Sequence, residues 1–247
     1  MNILNSLNLK ITAHLPVKIV KNKANRPLAS ISFDDFAKSA WQVGGKILDK
    51  YGVKGTYYAV GGFCGKVAEG VQQYDEDDLR ELVAQGHELG SHTNKHTSVY
   101  TASDAALRKE EADNKAFFNE VLGDYQVSTF AYPFGDISPR TKKLYSELYP
   151  LSRGIRQGLN GKWFDMAQLK AVPIEARLWT PEFIENWVRH AKETNSWLCL
   201  FTHDICENPT PWGATPEMLD HAMAMLKKYE IEVHTVKAAM ALTQFDE

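Results

Sequence analysis

The chain lacks the features that would place it on a nucleic acid, in a membrane or in a disulfide scaffold. Its 247 residues carry 28 lysines and arginines against 31 acids, a formal charge of −3. Without a basic excess there is no electrostatic footprint for nucleic acid or an anionic surface. No window approaches the ~20 apolar residues of a membrane span. The three cysteines, Cys64, Cys199 and Cys206, are odd in number and contain no CxxC pair. That argues against a disulfide framework or a thiolate zinc knuckle and fits a reducing compartment. Cys199, inside Trp-Leu-Cys-Leu-Phe, reads as a small buried hydrophobe. Repeats, low-complexity tracts and linkers are absent, so one domain spanning 1–247 is expected, with its core at about 27–240. The opening MNILNSLNLKITAHLPVK lacks the basic head and apolar run of a secretory signal, and a cytoplasmic chain is the expectation.

What is present is an alternation of β-like and helical patterns, the mark of α/β architecture. Strands are expected at 27–33, 55–60, 88–91, 128–132, 151–155, 170–174, 196–201 and 232–235. Helices are expected at 38–51, 75–85, 103–122, 139–148, 181–194 and 215–229, several opened by Ser, Asp or Pro and one stopped by Gly86. The spacing predicts about seven strand–helix units, short of a full eightfold barrel.

Polar chemistry falls at the ends of these strands. Asp34-Asp35, His92, Tyr132-Pro-Phe-Gly135 and His203-Asp204 each follow one directly. In barrels of parallel strands the carboxyl ends form the functional rim. His92 and His96, four apart, can share one side of a helical turn. A carboxylate from elsewhere would complete a three-ligand site with an open position for water, which reads as a metal-assisted hydrolase. Taken alone, the Asp pair is a helix cap and its neighbour, and a lone histidine is a satisfied core residue; the combination favours the site. His87 reads as structural, and His14, His190, His221 and His234 lack partners at ligand spacing. Trp163 and Trp179 read as core, whereas Trp212, in the polar loop Asn208-Pro-Thr-Pro-Trp-Gly, reads as an exposed platform.

The ordered set Ser-Phe-Asp-Asp (32–35), His-Thr-Asn-Lys-His (92–96), Ala-Tyr-Pro-Phe-Gly (131–135) and Leu-Phe-Thr-His-Asp (200–204) resembles the polysaccharide deacetylases. The Tyr-Pro-Phe-Gly motif is most similar to that of the poly-N-acetylglucosamine deacetylases. The resemblance implies a distorted (β/α) barrel of about seven parallel strands and a metal-dependent hydrolase that removes an acetyl group from an N-acetylated sugar or glycan. It implies Asp35, His92 and His96 as metal ligands, Asp34 as general base and His203 as general acid. Zn²⁺ suits that donor set best, with Co²⁺, Ni²⁺ or Mn²⁺ as alternatives. Tyr132, the backbone N–H of Phe134, Phe201 and Trp212 are expected to face the substrate or its oxyanion, with Phe201 or Leu200 walling the acetyl methyl.

The chain departs from the family pattern in three places, one of them Phe201, where a leucine usually stands two positions before the acid histidine. Ala131 stands where many members have an arginine that orients the base, and Arg153 or Arg156 is expected to take over. The Asp-Trp motif that polarises the acid histidine is not recognisable between 150 and 180, where Asp165 and Glu175 are the stand-ins. Asp204 is either an orienting partner or the cap of the next turn. The rival functions are hydrolysis of another C–N bond, as in allantoinase-like enzymes, an O-acetyl esterase, and a silent carbohydrate-binding form of the fold.

Overall fold

A computed structural model describes residues 15–244. His14 and most of the stretch read against a secretory signal lie outside the described residues. In chain order the strands are β1 (Ile19–Lys21), β2 (Leu28–Phe33), β3 (Thr56–Ala59), β4 (Val67–Ala68), β5 (Val71–Gln72), β6 (Glu88–Ser91), β7 (Thr129–Ala131), β8 (Leu151–Arg153), β9 (Trp163–Asp165), β10 (Val172–Pro173), β11 (Trp197–Thr202) and β12 (Glu232–Val233).

Seven of them form a curled parallel sheet in the order β10-β11-β2-β3-β6-β7-β8, flanked by helices, and β12 adds to β2. This is the distorted (β/α) barrel expected. The runs Leu-Ala-Ser-Ile-Ser-Phe of β2 and Trp-Leu-Cys-Leu-Phe-Thr of β11 are buried throughout, as strands covered on both faces must be. Their parallel register runs from Leu28 opposite Trp197 to Phe33 opposite Thr202. It therefore brings Asp34 and His203, the residues that follow, to adjacent places on the rim. Beyond β8 the ladder continues onto the segment before β10, through Ser152 N–H to Met166 O and Gly154 N–H to Leu169 O. This crossing explains why the strand expected over 151–155 stops at Arg153.

The helices begin where their caps predict. Side chains of Asp75, Ser103, Ser138, Thr180 and Thr215 each accept from a first-turn N–H of Glu76–Ala84, Asp104–Leu122, Pro139–Leu148, Pro181–Glu193 and Pro216–Lys228. The helix expected over 38–51 differs: it winds as a π-helix over Ala40–Gly45 before the α-helix Lys46–Lys50. The Trp41 ring lies over Gly45 so closely that a Cβ there would come within 2.8 Å of it. Three elements had no counterpart in the sequence pattern. These are the antiparallel β1–β9 pair, the β4–β5 hairpin, and the helix Val236–Gln244. That helix anchors its first N–H groups on Thr56 and on the buried Glu88 carboxylate, at the amino ends of β3 and β6. The chemistry is left to the opposite, carboxyl end.

Candidate active site

The strand ends open onto one cavity of about 580 Å³, lined among others by Asp34, Asp35, His92, His96, Phe134, Phe201, His203 and Trp212. Six of the eight described non-glycine residues with positive φ lie in or beside its loops: Asp35, Phe36, Glu69, Thr93, His96 and Phe134. Left-handed backbone is costly for side-chain-bearing residues, and its concentration here follows the tendency of strain to collect at functional sites.

His92 and His96 converge, but not on a helical turn as the four-residue spacing allowed. Thr93 (φ 62°) and His96 (φ 54°) turn the chain out of any helical path, and the two rings meet across a loop with centroids 5.0 Å apart. Asp35 completes the group, and one ligand atom from each of the three lies within 4.8 Å of the others. His92 Nδ1 faces Ala131 O at 2.8 Å. A carbonyl only accepts, so the proton sits on Nδ1 and Nε2 is left bare toward Asp35, 3.5 Å away. His96 Nε2 lies 3.3 Å from the same Asp35 oxygen.

This donor set fits a divalent cation. Asp35 Oδ1 is buried with no hydrogen-bond partner. Burial pushes the Asp35 carboxyl above its ordinary value despite His96 and His203 nearby, and burial drives His92 down to about 3. A pocket of bare nitrogens and a desolvated carboxylate is short of positive charge, and a carboxylate with two imidazoles is a zinc-type donor set.

Asp34 sits next to this group and is bound differently. Both its oxygens accept from Arg153 Nη2, and both side chains are buried. Burial alone would raise the Asp34 carboxyl. The Arg153 guanidinium, with His92 and His203 nearby, outweighs it and holds the carboxyl below its ordinary value. Of the two arginines expected to replace the missing one, Arg153 reaches Asp34. Arg156 is exposed and does not line the cavity.

His203 Nδ1 lies 3.1 Å from Trp212 O, so again Nδ1 carries the proton and Nε2 is the free atom. Among the described residues no hydrogen bond joins Asp204 to the His203 ring. Its carboxylate accepts from Thr210 N–H and Oγ1, shaping the loop that carries Trp212. Of the two stand-ins for the Asp-Trp motif, Asp165 is tied to Lys142 and to the β1 approach, away from the cavity. Glu175 lines the cavity just beyond β10; burial raises its carboxyl, while Arg177 and His203 pull it back.

The remaining expected residues divide. Phe134 is exposed, packs on His96 at 4.2 Å, and its N–H makes no hydrogen bond among the described residues. Phe201 is a buried wall under the Arg153 guanidinium. Tyr132 is buried, its N–H given to Arg153 O and its hydroxyl to Ala167 O. It is therefore wall and not donor. Trp212 is exposed, and Arg177 covers one face of it at 3.9 Å. Trp163 is exposed on β9 and outside the cavity, contrary to the core position expected for it. Trp179 packs against His221 beside the core. His87 is structural, accepting from Gly55 N–H and packing on Trp41. Two charged cavity residues went unmarked in the sequence: Glu69 on the β4–β5 turn, whose Oε1 lies 3.4 Å from His96 Nδ1, and Arg177. Neither belongs to a motif; each arrives through a loop.

Comparison with known proteins agrees with this arrangement. Residues 21–149 match the family model "Polysaccharide deacetylase". A stretch of 126 residues, 51% of the chain, is 29% identical to gellan lyase of Bacillus sp, covering 5% of that protein. The protein YxkH of Bacillus subtilis (strain 168), named as a polysaccharide deacetylase, is 26% identical over 121 residues, 49% of the chain and 42% of YxkH. The match thus spans less than half the length of either curated relative. Among solved structures, a family 4 acetyl xylan esterase from Clostridium thermocellum, in complex with a cobalt ion, has a TM-score of 0.62 at 23% identity, covering 87% of this chain and 91% of that one. BA3943 of Bacillus anthracis, a CE4 family pseudoenzyme, has a TM-score of 0.64 at 16% identity, covering 94% and 72%. At these identities the structural likeness speaks for the fold. With a little over half of its length matched and the strand-end acids and histidines in place on that fold, the chain belongs to the polysaccharide deacetylase family.

Proposed function

We propose that the protein is a metal-dependent carbohydrate N-deacetylase, hydrolysing the acetamide of an N-acetylated sugar to acetate and an amine. The observation that carries this reading is the pairing of Asp34 with Arg153 beside the Asp35–His92–His96 group in one cavity. A pseudoenzyme has no need to keep a buried carboxylate ionised next to a ligand set. Asp35, His92 and His96 would hold the cation, most suitably Zn²⁺, which when bound supplies Lewis acidity toward a carbonyl oxygen and acidifies water.

Asp34, kept ionised by Arg153, takes the proton from the attacking water as the new C–O bond forms. The N–H of Phe134 donates to the oxyanion that develops on the acetyl carbonyl. Phe201 walls the methyl side. With Nδ1–H engaged by Trp212 O, His203 must carry a second proton on Nε2 to act as acid; it gives this to the departing nitrogen as the C–N bond breaks. Glu175 places a carboxylate on the same flank.

The test is acetate release from N-acetylglucosamine oligomers before and after chelation, with cation content measured. Asp34→Asn should abolish turnover while the cation stays bound. No acetate from cation-loaded protein on either N- or O-acetylated sugars would sink the enzyme reading. O-deacetylation is the second reading, because His203 is backed by a carbonyl and not by a carboxylate, and an ester's alkoxide needs less help from an acid. Faster acetate release from an O-acetylated xylo-oligosaccharide would select it.

A further inference from the structure

The charges in the cavity are unevenly distributed. Among the described residues five carboxylates line it, from Asp34, Asp35, Glu69, Glu175 and Asp204, and Arg177 is the only lysine or arginine that does. The carboxylates have occupations: Asp34 holds Arg153, Asp35 and Glu69 face the histidines, Asp204 binds Thr210, and Glu175 meets Arg177.

Arg177 is committed only in part. Its Nε donates to Glu175 Oε2 at 2.7 Å, and its guanidinium lies over the Trp212 ring at 3.9 Å. Among the described residues nothing accepts from its two terminal nitrogens, and its side chain is 44% exposed. Stacking uses the face of a guanidinium and leaves its in-plane donors free, so Nη1 and Nη2 form a two-pronged edge, braced from one side and from below. Such an edge matches the paired oxygens of a carboxylate or phosphate. The brace itself is fixed, since Ala176 N–H bonds Gly213 O and the Trp212 carbonyl holds His203. The exposed acid Glu69 lines the same cavity and lies against His96.

We propose that Arg177, braced by Trp212 and Glu175, is the subsite for an anionic substituent, carboxylate or phosphate, carried by the N-acetylated sugar. This rests on the deacetylase reading of the same cavity and names its substrate as acidic. The probes are N-acetylglucosamine, N-acetylmuramic acid for the carboxylate, and N-acetylglucosamine 1-phosphate for the phosphate. Binding is measured by calorimetry on cation-loaded protein carrying Asp34→Asn to prevent turnover, and acetate release on the wild type. One of the acidic sugars should bind at least about tenfold tighter than the neutral one, and Arg177→Gln should erase that preference. Arg177→Lys, which keeps the charge without the fork, should recover only part of it. An anion bound through the cation would keep its preference in Arg177→Gln, so a preference that survives the substitution overturns the subsite, as does equal affinity for all three sugars. Selective binding lost in Arg177→Gln, with no acetate from any probe or from N-acetylglucosamine oligomers, would uphold the subsite and sink the deacetylase reading. Equal binding with acetate released would do the reverse.

Discussion

Arg153 and Asp34 meet inside the barrel although their strands, β8 and β2, are separated by three others in the sheet. The guanidinium reaches the carboxylate across the interior, between the rings of Tyr58 and Phe201. Removing it leaves a buried, unpaired charge, which costs about 3–5 kcal/mol in comparable pairs. Arg153→Ala should therefore destabilise the fold by that order in urea unfolding. It should also lower kcat about 100-fold, with the acid limb of the pH–rate profile moved to higher pH, because Asp34 loses the charge that holds its carboxyl down. Arg153→Lys should restore part of each. Near-wild-type turnover in Arg153→Ala would remove Asp34 from the role of base.

This pair also marks how far the sequence could be read. The strand ends carrying Asp34-Asp35 and His203 were legible because each follows a buried apolar run, His92 because the short segment Glu88-Leu-Gly-Ser precedes it, and the parallel register then sets them side by side. That an arginine should come from the strand after the usual one was legible too, but not which one. Arg153, as the last residue of β8, points inward, whereas Arg156 lies past the crossing at Leu169. The loop geometry was not legible. The histidine spacing suited a helix, and only the left-handed Thr93 and His96 reveal the turn. Glu69 and Arg177 reach the cavity through loop paths that no periodicity encodes.

Gly135 makes the Tyr-Pro-Phe-Gly turn feasible. Its φ is 66°, Phe134 before it is at 59°, and a Cβ on Gly135 would meet Ile155 at 2.3 Å. Gly135→Ala should cost about 1–3 kcal/mol from overpacking, with left-handed strain in addition. If Phe134 N–H serves the oxyanion, the displaced turn should lower kcat by about 100-fold while KM changes little. An equal rise in KM with kcat preserved would deny Phe134 that role.

Glu69 occupies the first position of the β4–β5 turn with φ 51°, followed by Gly70 at 82°. Glycine, Asn or Asp would suit that place better, and the carboxylate it presents lies 3.4 Å from the otherwise unpartnered His96 Nδ1. Partners of this kind fix the orientation of a ligating imidazole, and their loss typically weakens cation affinity by about 10–100-fold. Glu69→Ala should show that loss in competition with a chromophoric chelator, and Glu69→Gln, which still offers an acceptor, should lose less. Unchanged affinity in Glu69→Ala would make the residue a feature of the rim only.

The buried carboxylate of Glu111, bonded to Ser91 next to His92 in the chain, predicts a pH dependence of stability. Glu111 Oε2 accepts from Ser91 Oγ at 2.7 Å and from the Tyr149 hydroxyl, and Asn114 joins through Ser91. Burial dominates over these bonds and pushes the Glu111 carboxyl from 4.5 up to about 7. Between those values the unfolded chain is ionised while the folded one keeps its proton. The unfolded state thus binds fewer protons, and this contribution to stability is whole below 4.5, falls as pH rises, and is gone above about 7. The loss amounts to about 3 kcal/mol at most. His87 and His92, lowered by burial to about 4 and about 3, slope the opposite way in part of the same window, and Asp35, Glu88 and Glu175 are raised by burial as Glu111 is, so the wild-type curve alone mixes several groups. Glu111→Gln keeps an acceptor for Ser91 and Tyr149 without a proton to lose. The difference between the wild type and Glu111→Gln, from urea unfolding at intervals from pH 5 to 8, should therefore grow steadily in favour of the variant and level off above neutrality. A difference that stays flat over that range would mean that Glu111 is ionised in the fold, and the contacts from Ser91 and Tyr149 would then outweigh its burial.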